Sequence, residues 1–295
     1  MHRVIEKGHE GRLAILWDFT NEPGEWAASL SEGRNKKRAL GFSSMQERCG
    51  DFSSWFGAPD KQALTDRLRN GWSEGAERLQ EISVGEINPT SIRRKRFRSD
   101  QGDEIDMQSV WRGDLPRAWS RTRRTSRFGS RVLNIVVNVG DNHNLKADDL
   151  FWRGGSALRL ADSLVEAGYA VGIYAANACK RFCSVDTQAE MCQFVELKAP
   201  DSQLDVSAMA GITAMPGWFR TQGFAGIVCA ADMMGDKHDS SLGFAIHNIA
   251  PFAKMLGLHG EIIFQPPINS KEDAEQWIKD AMAQVEPKQA CNVVS

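Results

Sequence analysis

The chain has 295 residues, of which 42% are hydrophobic and 25% are charged, and its formal net charge is −2. This is the composition of an ordinary globular protein, and the small net charge excludes a chain held to its partner by a global field of one sign. No stretch approaches the ~18 uninterrupted apolar residues of a membrane span, and residues 1–13 lack the apolar core of a signal peptide, so we expect a cytoplasmic protein without membrane contact.

The N-terminal region contains two patterned stretches. Residues 13–17 are a short apolar run, Leu-Ala-Ile-Leu-Trp. Between residues 60 and 82 the apolar residues recur at helical spacing, but Gly71 and Gly75 interrupt the pattern. Because glycine weakens a helix interior, two short helices are an alternative to a single long one. We assign residues 1–131 to a smaller α+β region that ends in a basic segment.

That basic segment spans residues 91–131. It holds twelve Lys and Arg residues against five Asp and Glu residues, a local balance of +7, so the rest of the chain carries −9. Basic runs can bind phosphate backbones, and Trp111 and Trp119 lie among the arginines, as in a surface that stacks unpaired bases. The alternative, which we favour from sequence, is a solvated linker or arginines that pair with the acidic remainder. The candidate nucleic-acid-binding residues are Arg93, Arg94, Lys95, Arg96, Arg98, Arg121, Arg123 and Arg124.

From Val132 onward, apolar strand-like runs alternate with amphipathic stretches. We predict strands at 132–139, 169–176, 191–197, 226–231 and 261–264, and helices at 148–168, 206–219, 244–256 and 270–285. Pro216 should end or kink the second of these helices. The alternation predicts that residues 132–295 form one α/β domain with a doubly wound, mostly parallel sheet of Rossmann-like organisation.

Two polar loops follow predicted strands of this domain, after residues 132–139 and after residues 226–231. Ligands of open α/β sheets bind at the carboxyl ends of the strands. If the two strands are neighbours, the loops meet at one edge, where oxygen ligands could hold Mg²⁺ or Mn²⁺. The candidate metal ligands are Asn138, Asp141, Asn142, His143, Asp232 and Asp236.

At this point residues 132–285 resemble the von Willebrand factor A fold. The resemblance rests on the strand order, on the helix that ends at Gly168 before Tyr-Ala-Val-Gly-Ile, and on the run Ile227–Asp232. That fold pairs a D-x-S-x-S loop with a later Asp in a metal-ion-dependent adhesion site. Asp232 matches the later Asp, but Asn138-x-Gly140-x-Asn142 or Asp141-x-His143-x-Leu145 replaces the loop motif without its paired hydroxyls. The resemblance therefore implies a von Willebrand A-like domain with a degenerate metal site.

The whole chain also resembles uncharacterised proteins of phages and prophages. This second resemblance rests on patterns such as Gly71-Trp72-x-x-Gly75 and Arg153-Gly154-x-x-Ala157. It suggests that the protein is phage-encoded, and it implies no activity.

Three further features have two interpretations each. Cys179 and Cys183 form a C-x3-C pair with Cys192 nine residues on, but no histidine lies nearby, so reduced thiols are favoured over a zinc site. The run 153–156, Arg-Gly-Gly-Ser, could offer backbone N–H groups to an anion near a helix start, although a helix-start irregularity is favoured. His247 falls in the predicted helix 244–256, which favours a core histidine over a catalytic one.

The favoured function is therefore non-enzymatic. We expect an interaction or scaffold protein that docks a protein partner at the carboxyl edge of its sheet. The von Willebrand A resemblance implies a MoxR-type ring ATPase as the partner class, an analogy drawn from fold alone. One alternative is nucleic-acid binding through residues 93–131. The other is a metal-dependent hydrolase or nuclease built on Asp141, Asp232 and Asp236.

Overall fold

The fold is taken from a computed structural model that describes residues 6–7, 11–17, 51–85, 92–99, 104–105, 107–115, 118–126, 132–141, 145–236, 242–258 and 260–285. The strands in these ranges are β1 Glu6–Lys7, β2 Arg12–Trp17, β3 Ile92–Ser99, β4 Glu104–Ile105, β5 Trp119–Ser126, β6 Val132–Asn138, β7 Ala170–Lys180, β8 Glu190–Lys198, β9 Phe244–Ile246 and β10 Glu261–Phe264. The α-helices are α1 Phe52–Phe56, α2 Lys61–Asn70, α3 Ser73–Arg78, α4 Met107–Trp111, α5 Ala147–Glu166, α6 Val206–Thr213, α7 Pro216–Trp218, α8 Phe224–Met233, α9 Ala250–Met255 and α10 Lys271–Val285.

The main sheet has the strand order β1-β2-β8-β7-β6-β10, and β9 pairs with β7 off this path. Strands β7, β6 and β10 run parallel to one another. Strand β8 is antiparallel to β7, whereas β2 is parallel to β8. The protein is therefore a mixed α/β structure with a mostly parallel sheet, as the alternation of strands and helices predicted, and one antiparallel pair, β7–β8, lies at its centre.

Strand β6 is buried on both faces of the sheet. Six of its seven residues, from Leu133 to Asn138, are buried, as expected for a continuous apolar run in a parallel sheet. Leu133, Ile135 and Val137 belong to a core cluster with apolar residues of α5, α6, α8 and α10. Val136 belongs to a second cluster with Phe252 of α9. Helices thus cover both faces of the sheet.

The N-terminal region contributes to the same sheet. Strand β2 pairs in parallel with β8, and Leu13 lies opposite Met191. Gly71 separates α2 from α3. Its φ is +89, a backbone conformation that glycine adopts readily and in which a side chain is strained. The regions predicted as 1–131 and 132–295 therefore share one sheet, and the helical pattern of residues 60–82 is a broken one.

Two sequence predictions of secondary structure are wrong. Residues 226–231, predicted as a strand, lie inside helix α8. Its residues from Phe224 to Ala231 are all buried, and an apolar run without periodicity does not distinguish a buried helix from a buried strand. The helix predicted for 244–256 begins only at Ala250, because residues 244–246 form β9.

Other predictions are confirmed. The helix predicted for 206–219 ends at Thr213, and Pro216 starts the next helix, where its missing N–H costs nothing. The final helix begins after Ser270, whose hydroxyl accepts a hydrogen bond from the Asp273 amide at 3.1 Å. Within the described ranges, every helix is too short or too polar to cross a lipid bilayer.

Candidate functional site

The carboxyl end of β6 is held by a buried arginine on helix α5. Arg153 is 1% exposed and lies two turns into that helix. Its guanidinium donates to Ile268 O (3.4 Å), Asn138 O (3.3 Å), Gly140 O (3.1 Å), Asp141 Oδ2 (2.6 Å) and Asn269 Oδ1 (2.9 Å). One side chain thus joins the loop after β6 to the loop after β10.

The electrostatics of this arginine reflect its position. Burial lowers the pKa of Arg153 from its ordinary value, whereas the hydrogen bond from the guanidinium to Asp141 opposes that shift. An arginine stays protonated even so, because its intrinsic pKa is above about 12. Arg153 and Asp141 therefore form a buried ion pair at the carboxyl edge.

Asn138 stabilises the same loop. The residue is fully buried, its Oδ1 accepts a hydrogen bond from the Gly140 amide at 3.2 Å, and its Nδ2 lies 3.4 Å from Nδ1 of His247. His247 is exposed and lies between β9 and α9, so its predicted place in an apolar helix is wrong. The structure instead brings this histidine to the edge that Asn138 occupies.

A cleft of about 380 Å³ lies beside this loop, and we call it the carboxyl-edge cleft. It is lined by Gly140, Asp141, Asn177, Ala178, Cys179, Phe219, Phe224, Ile227, Leu242, Gly243, Phe244 and Ala245. Ala176 of β7 pairs with Asn138 of β6, but Ala178 pairs with Ile246 of β9. The cleft therefore lies where β7 changes its neighbour from β6 to β9, at the end of two parallel strands.

Asn177 occupies this change of neighbour. It is 2% exposed and lines the cleft, yet its Oδ1 finds no hydrogen-bond partner among the residues that the structure describes. Cys179, two residues on, also lines the cleft, and burial raises the pKa of its thiol. The thiol stays protonated at neutral pH, so Cys179 contributes an apolar wall rather than a nucleophile.

The predicted metal ligands are not brought together as expected. Asp141 is paired with Arg153, Asp232 lies in the last turn of helix α8 instead of after a strand, and the carboxylate of Asp236 accepts a hydrogen bond from the Ser184 amide at 2.5 Å. Asn142 and His143 lie outside the described residues. No group of three His, Cys, Asp or Glu side chains suited to a metal ion occurs among the residues described. The premise of two converging strand ends is wrong, and metal binding itself stays a prediction.

The packing places two smaller features of the sequence. Cys179, Cys183, Cys192 and Cys229 are buried, and none of them forms a disulfide with another described cysteine. Gly154 and Gly155 lie inside α5, and a Cβ on Gly154 would come within 2.0 Å of the Thr213 carbonyl oxygen. The glycine allows α5 and α6 to approach closely, so neither an irregular helix start nor an anion site explains it.

Sequence reasoning missed Arg153 as the residue that organises the edge. A signal was present, since Leu150, Arg153, Ala157 and Leu164 recur at helical spacing on the apolar face of α5. A charged residue on such a face needs buried partners. For Asn177 no comparable signal exists, because its missing hydrogen bond depends on tertiary structure.

The basic segment forms a second sheet with the strand order β3-β5-β4. We call the β3–β5 pair the basic ribbon. Its antiparallel register places Arg94 opposite Arg124 and Lys95 opposite Arg123. Because alternate residues of a strand fall on opposite faces, both faces hold basic positions. One has Arg94, Arg96, Arg98 and Arg124, and the other has Arg93, Lys95, Arg121 and Arg123.

The comparison with protein families gives one match over most of the chain, to DUF7192, a domain of unknown function, at residues 17–287. The chain belongs to the DUF7192 family. No curated protein and no solved structure matches it. The DUF7192 match includes the basic ribbon, the Arg153 network and the carboxyl-edge cleft, so these features lie within a single family domain.

Proposed function

We propose that the protein binds double-stranded DNA through the basic ribbon. The observation that carries the proposal is the register that pairs Arg94 with Arg124 and Lys95 with Arg123. Like charges directly opposite each other destabilise an antiparallel pair. A row of phosphates beside the ribbon would compensate this repulsion, and the ribbon is then a binding element rather than a solvated linker.

The charge density of the ribbon supports the same ligand. Its two eight-residue strands hold eight Lys and Arg residues and no acidic residue, in a chain whose net charge is −2. The nearest strand, β4, adds Glu104 opposite Ser120, at one end of the ribbon. Favourable contacts with phosphates release counterions, and this release supplies most of the sequence-independent affinity for nucleic acid.

The shape of the ribbon favours a duplex. Eight residues of β-strand extend over roughly 26 Å, and the major groove of B-DNA admits a two-stranded β-ribbon. A ribbon inside a groove has one phosphate backbone along each of its two edges, which suits basic positions in both of its strands. A-form RNA has a major groove too narrow for such an element, so we expect duplex DNA to bind more tightly than duplex RNA.

The test is fluorescence anisotropy with a short labelled DNA duplex and two charge-matched variants of the full chain. One variant carries Arg94→Gln, Lys95→Gln, Arg123→Gln and Arg124→Gln. The control carries the same loss of charge at exposed lysines outside the ribbon, namely Lys61, Lys180, Lys254 and Lys279. The ribbon variant should lose at least about tenfold in affinity, since four phosphate contacts are removed, and the control should keep most of it.

Several results would overturn the proposal. It fails if the parent chain does not bind duplex DNA, or if the two variants bind duplex DNA equally well. It also fails if duplex RNA binds the parent chain as tightly as duplex DNA does. Circular dichroism of both variants controls for folding. Removing charges that oppose one another across the ladder should not weaken the ribbon itself.

The interaction function favoured from sequence is a second proposal. The coverage of both sheet faces by helices supports a doubly wound, von Willebrand A-like arrangement, and Phe244, 58% exposed beside the carboxyl-edge cleft, supports docking at that edge. A photo-crosslinking residue at position 244 should join a purified MoxR-type ATPase from the same genome. The same residue at position 185, where Val185 is 67% exposed, should not. Equal crosslinking from the two positions would rule out docking at this edge.

A further inference from the structure

We propose that the carboxyl-edge cleft binds a nucleobase that carries an exocyclic amino group, with adenine as the best fit. The inference rests on the cleft and on Asn177, and it is independent of the basic ribbon. It assigns a ligand class to the end of the parallel strands, where open α/β sheets bind small molecules.

The walls of the cleft suit a flat ring. Phe219 and Phe224 line it with their ring centroids 5.0 Å apart and their planes at 73°, and Phe244 lies on the β9 side. Ile227 and Leu242 complete the apolar lining. A volume of about 380 Å³ lies within the range of small-molecule sites, which hold their ligands with mostly apolar walls and a few placed polar groups. Enzymes that hold a single unstacked base use aromatic and apolar walls in the same way.

The uncharged polar side chain in this cleft is the amide of Asn177. A buried acceptor without a donor destabilises a protein, and Asn177 Oδ1 has no donor among the described residues. The chemistry that satisfies it is an N–H group brought by the ligand. An asparagine amide matches adenine well, because its oxygen accepts from the N6 amino group while its nitrogen donates to N7.

The backbone builds the space for this contact. A Cβ on Gly140 would come within 2.6 Å of the Asn177 Cβ, so only glycine allows the loop after β6 to lie against Asn177 without displacing it. Asp141, the next residue, also lines the cleft, but Arg153 neutralises its charge at 2.6 Å. The choice between bases is therefore made by Asn177.

The experiment compares adenosine with inosine, which replaces the N6 amino group by a carbonyl oxygen. Isothermal titration of the full chain should show adenosine binding, and inosine should bind at least about tenfold more weakly, since one hydrogen bond is lost and two acceptors face each other. The substitution Asn177→Leu should abolish the difference between the two nucleosides. It should not lower the melting temperature, because it removes a buried carbonyl oxygen that has no donor among the described residues. The same substitution at exposed Asn70 is the matched control and should leave the discrimination unchanged.

A base within a strand is distinguished from a free nucleoside by a single-stranded oligo(dA) probe. The protein for this arm carries the four ribbon substitutions. DNA binding by the ribbon, whether it occurs or not, then does not contribute to the oligo(dA) signal. Competition between oligo(dA) and adenosine would identify a strand as the source of the base, and binding of adenosine alone would identify the free nucleoside. Equal affinity for adenosine and inosine, binding of neither, or discrimination retained in Asn177→Leu would overturn the proposal. So would binding of tryptophanamide in place of adenosine, which would identify a partner's side chain as the occupant.

Discussion

Arg153 of helix α5 donates to Asp141 of the loop after β6 at 2.6 Å, and the two side chains are only 1% and 7% exposed. This ion pair, with the further bonds from Arg153 to Asn138, Gly140 and Asn269, fixes the carboxyl ends of β6 and β10. Both candidate functions of that edge, ligand binding and partner docking, therefore depend on one buried cation.

The substitution Arg153→Met should destabilise the protein strongly. It leaves the carboxylate of Asp141 buried without its cation, and breaking such a pair typically costs about 3–5 kcal/mol. The double variant Arg153→Met, Asp141→Leu should recover much of this loss, because no uncompensated charge remains. Urea denaturation measures both free energies of unfolding. A double variant that is no more stable than the single one would contradict this account of the pair.

Gly154→Ala should destabilise the contact between α5 and α6. The new Cβ would lie 2.0 Å from the Thr213 carbonyl oxygen and 2.4 Å from the Ala214 nitrogen, and a backbone cannot give way as a side chain can. We expect a loss of roughly 1–3 kcal/mol. Gly155→Ala is the control, since its Cβ would meet the ends of the Ile82 and Leu79 side chains at 2.9 and 3.1 Å and the Phe151 ring at an ordinary 3.7 Å. Thermal unfolding should separate the two variants, and equal melting temperatures would show that the close approach has no energetic weight.

Tyr174 should give the protein a pH-dependent step in alkali. Burial, aided by the nearby Glu196 carboxylate, raises the pKa of the Tyr174 phenol to about 12. In the unfolded chain the phenol ionises near pH 10, so stability is unaffected below about pH 10 and falls as the pH rises towards about 12. The chain has two tyrosines. Phenolate absorbance of the folded protein should show a late step that is missing in Tyr174→Phe, and an unchanged titration curve in that variant would contradict the assignment.

Divalent metal is not expected to bind at Asp141 with micromolar affinity. The guanidinium of Arg153 already occupies Asp141 Oδ2 and repels a second cation there. Calorimetric titration of the EDTA-treated protein with Mg²⁺ and Mn²⁺ measures this directly, with Asp141→Asn and Asp232→Ala as the variants. Binding that is lost in both variants would show that the two carboxylates share a metal after all, and would revive the hydrolase or nuclease alternative.

Much of the architecture could be predicted from local sequence. Mostly apolar runs rich in Val and Ile identified β6 and β10, and capping residues such as Ser270 located the last helix. Helix α8 was missed because its sequence is apolar on every side, so burial removed the periodicity that separates helix from strand. This one error moved Asp232 from a strand end to a helix end and removed the premise of the metal site.

The sites were predicted less completely, for a related reason. The charge of residues 91–131 is visible in the sequence, but the register that sets Arg94 against Arg124 is a property of the folded ribbon. Asn177 lies in β7 one residue beyond the predicted run 169–176, and its significance comes from the change of β7's neighbouring strand from β6 to β9. Such relationships join residues far apart in the chain, and local patterns do not encode them.

The most direct test of the proposed function is the salt dependence of DNA binding. For duplex DNA the logarithm of the binding constant falls with the logarithm of salt concentration by about 0.9 for each phosphate contacted. If the ribbon binds in the groove, the slope for the variant Arg94→Gln, Lys95→Gln, Arg123→Gln, Arg124→Gln should be shallower than that of the parent by roughly three to four. A variant whose slope equals that of the parent would show that these residues do not contact phosphates, and would contradict DNA binding through the basic ribbon.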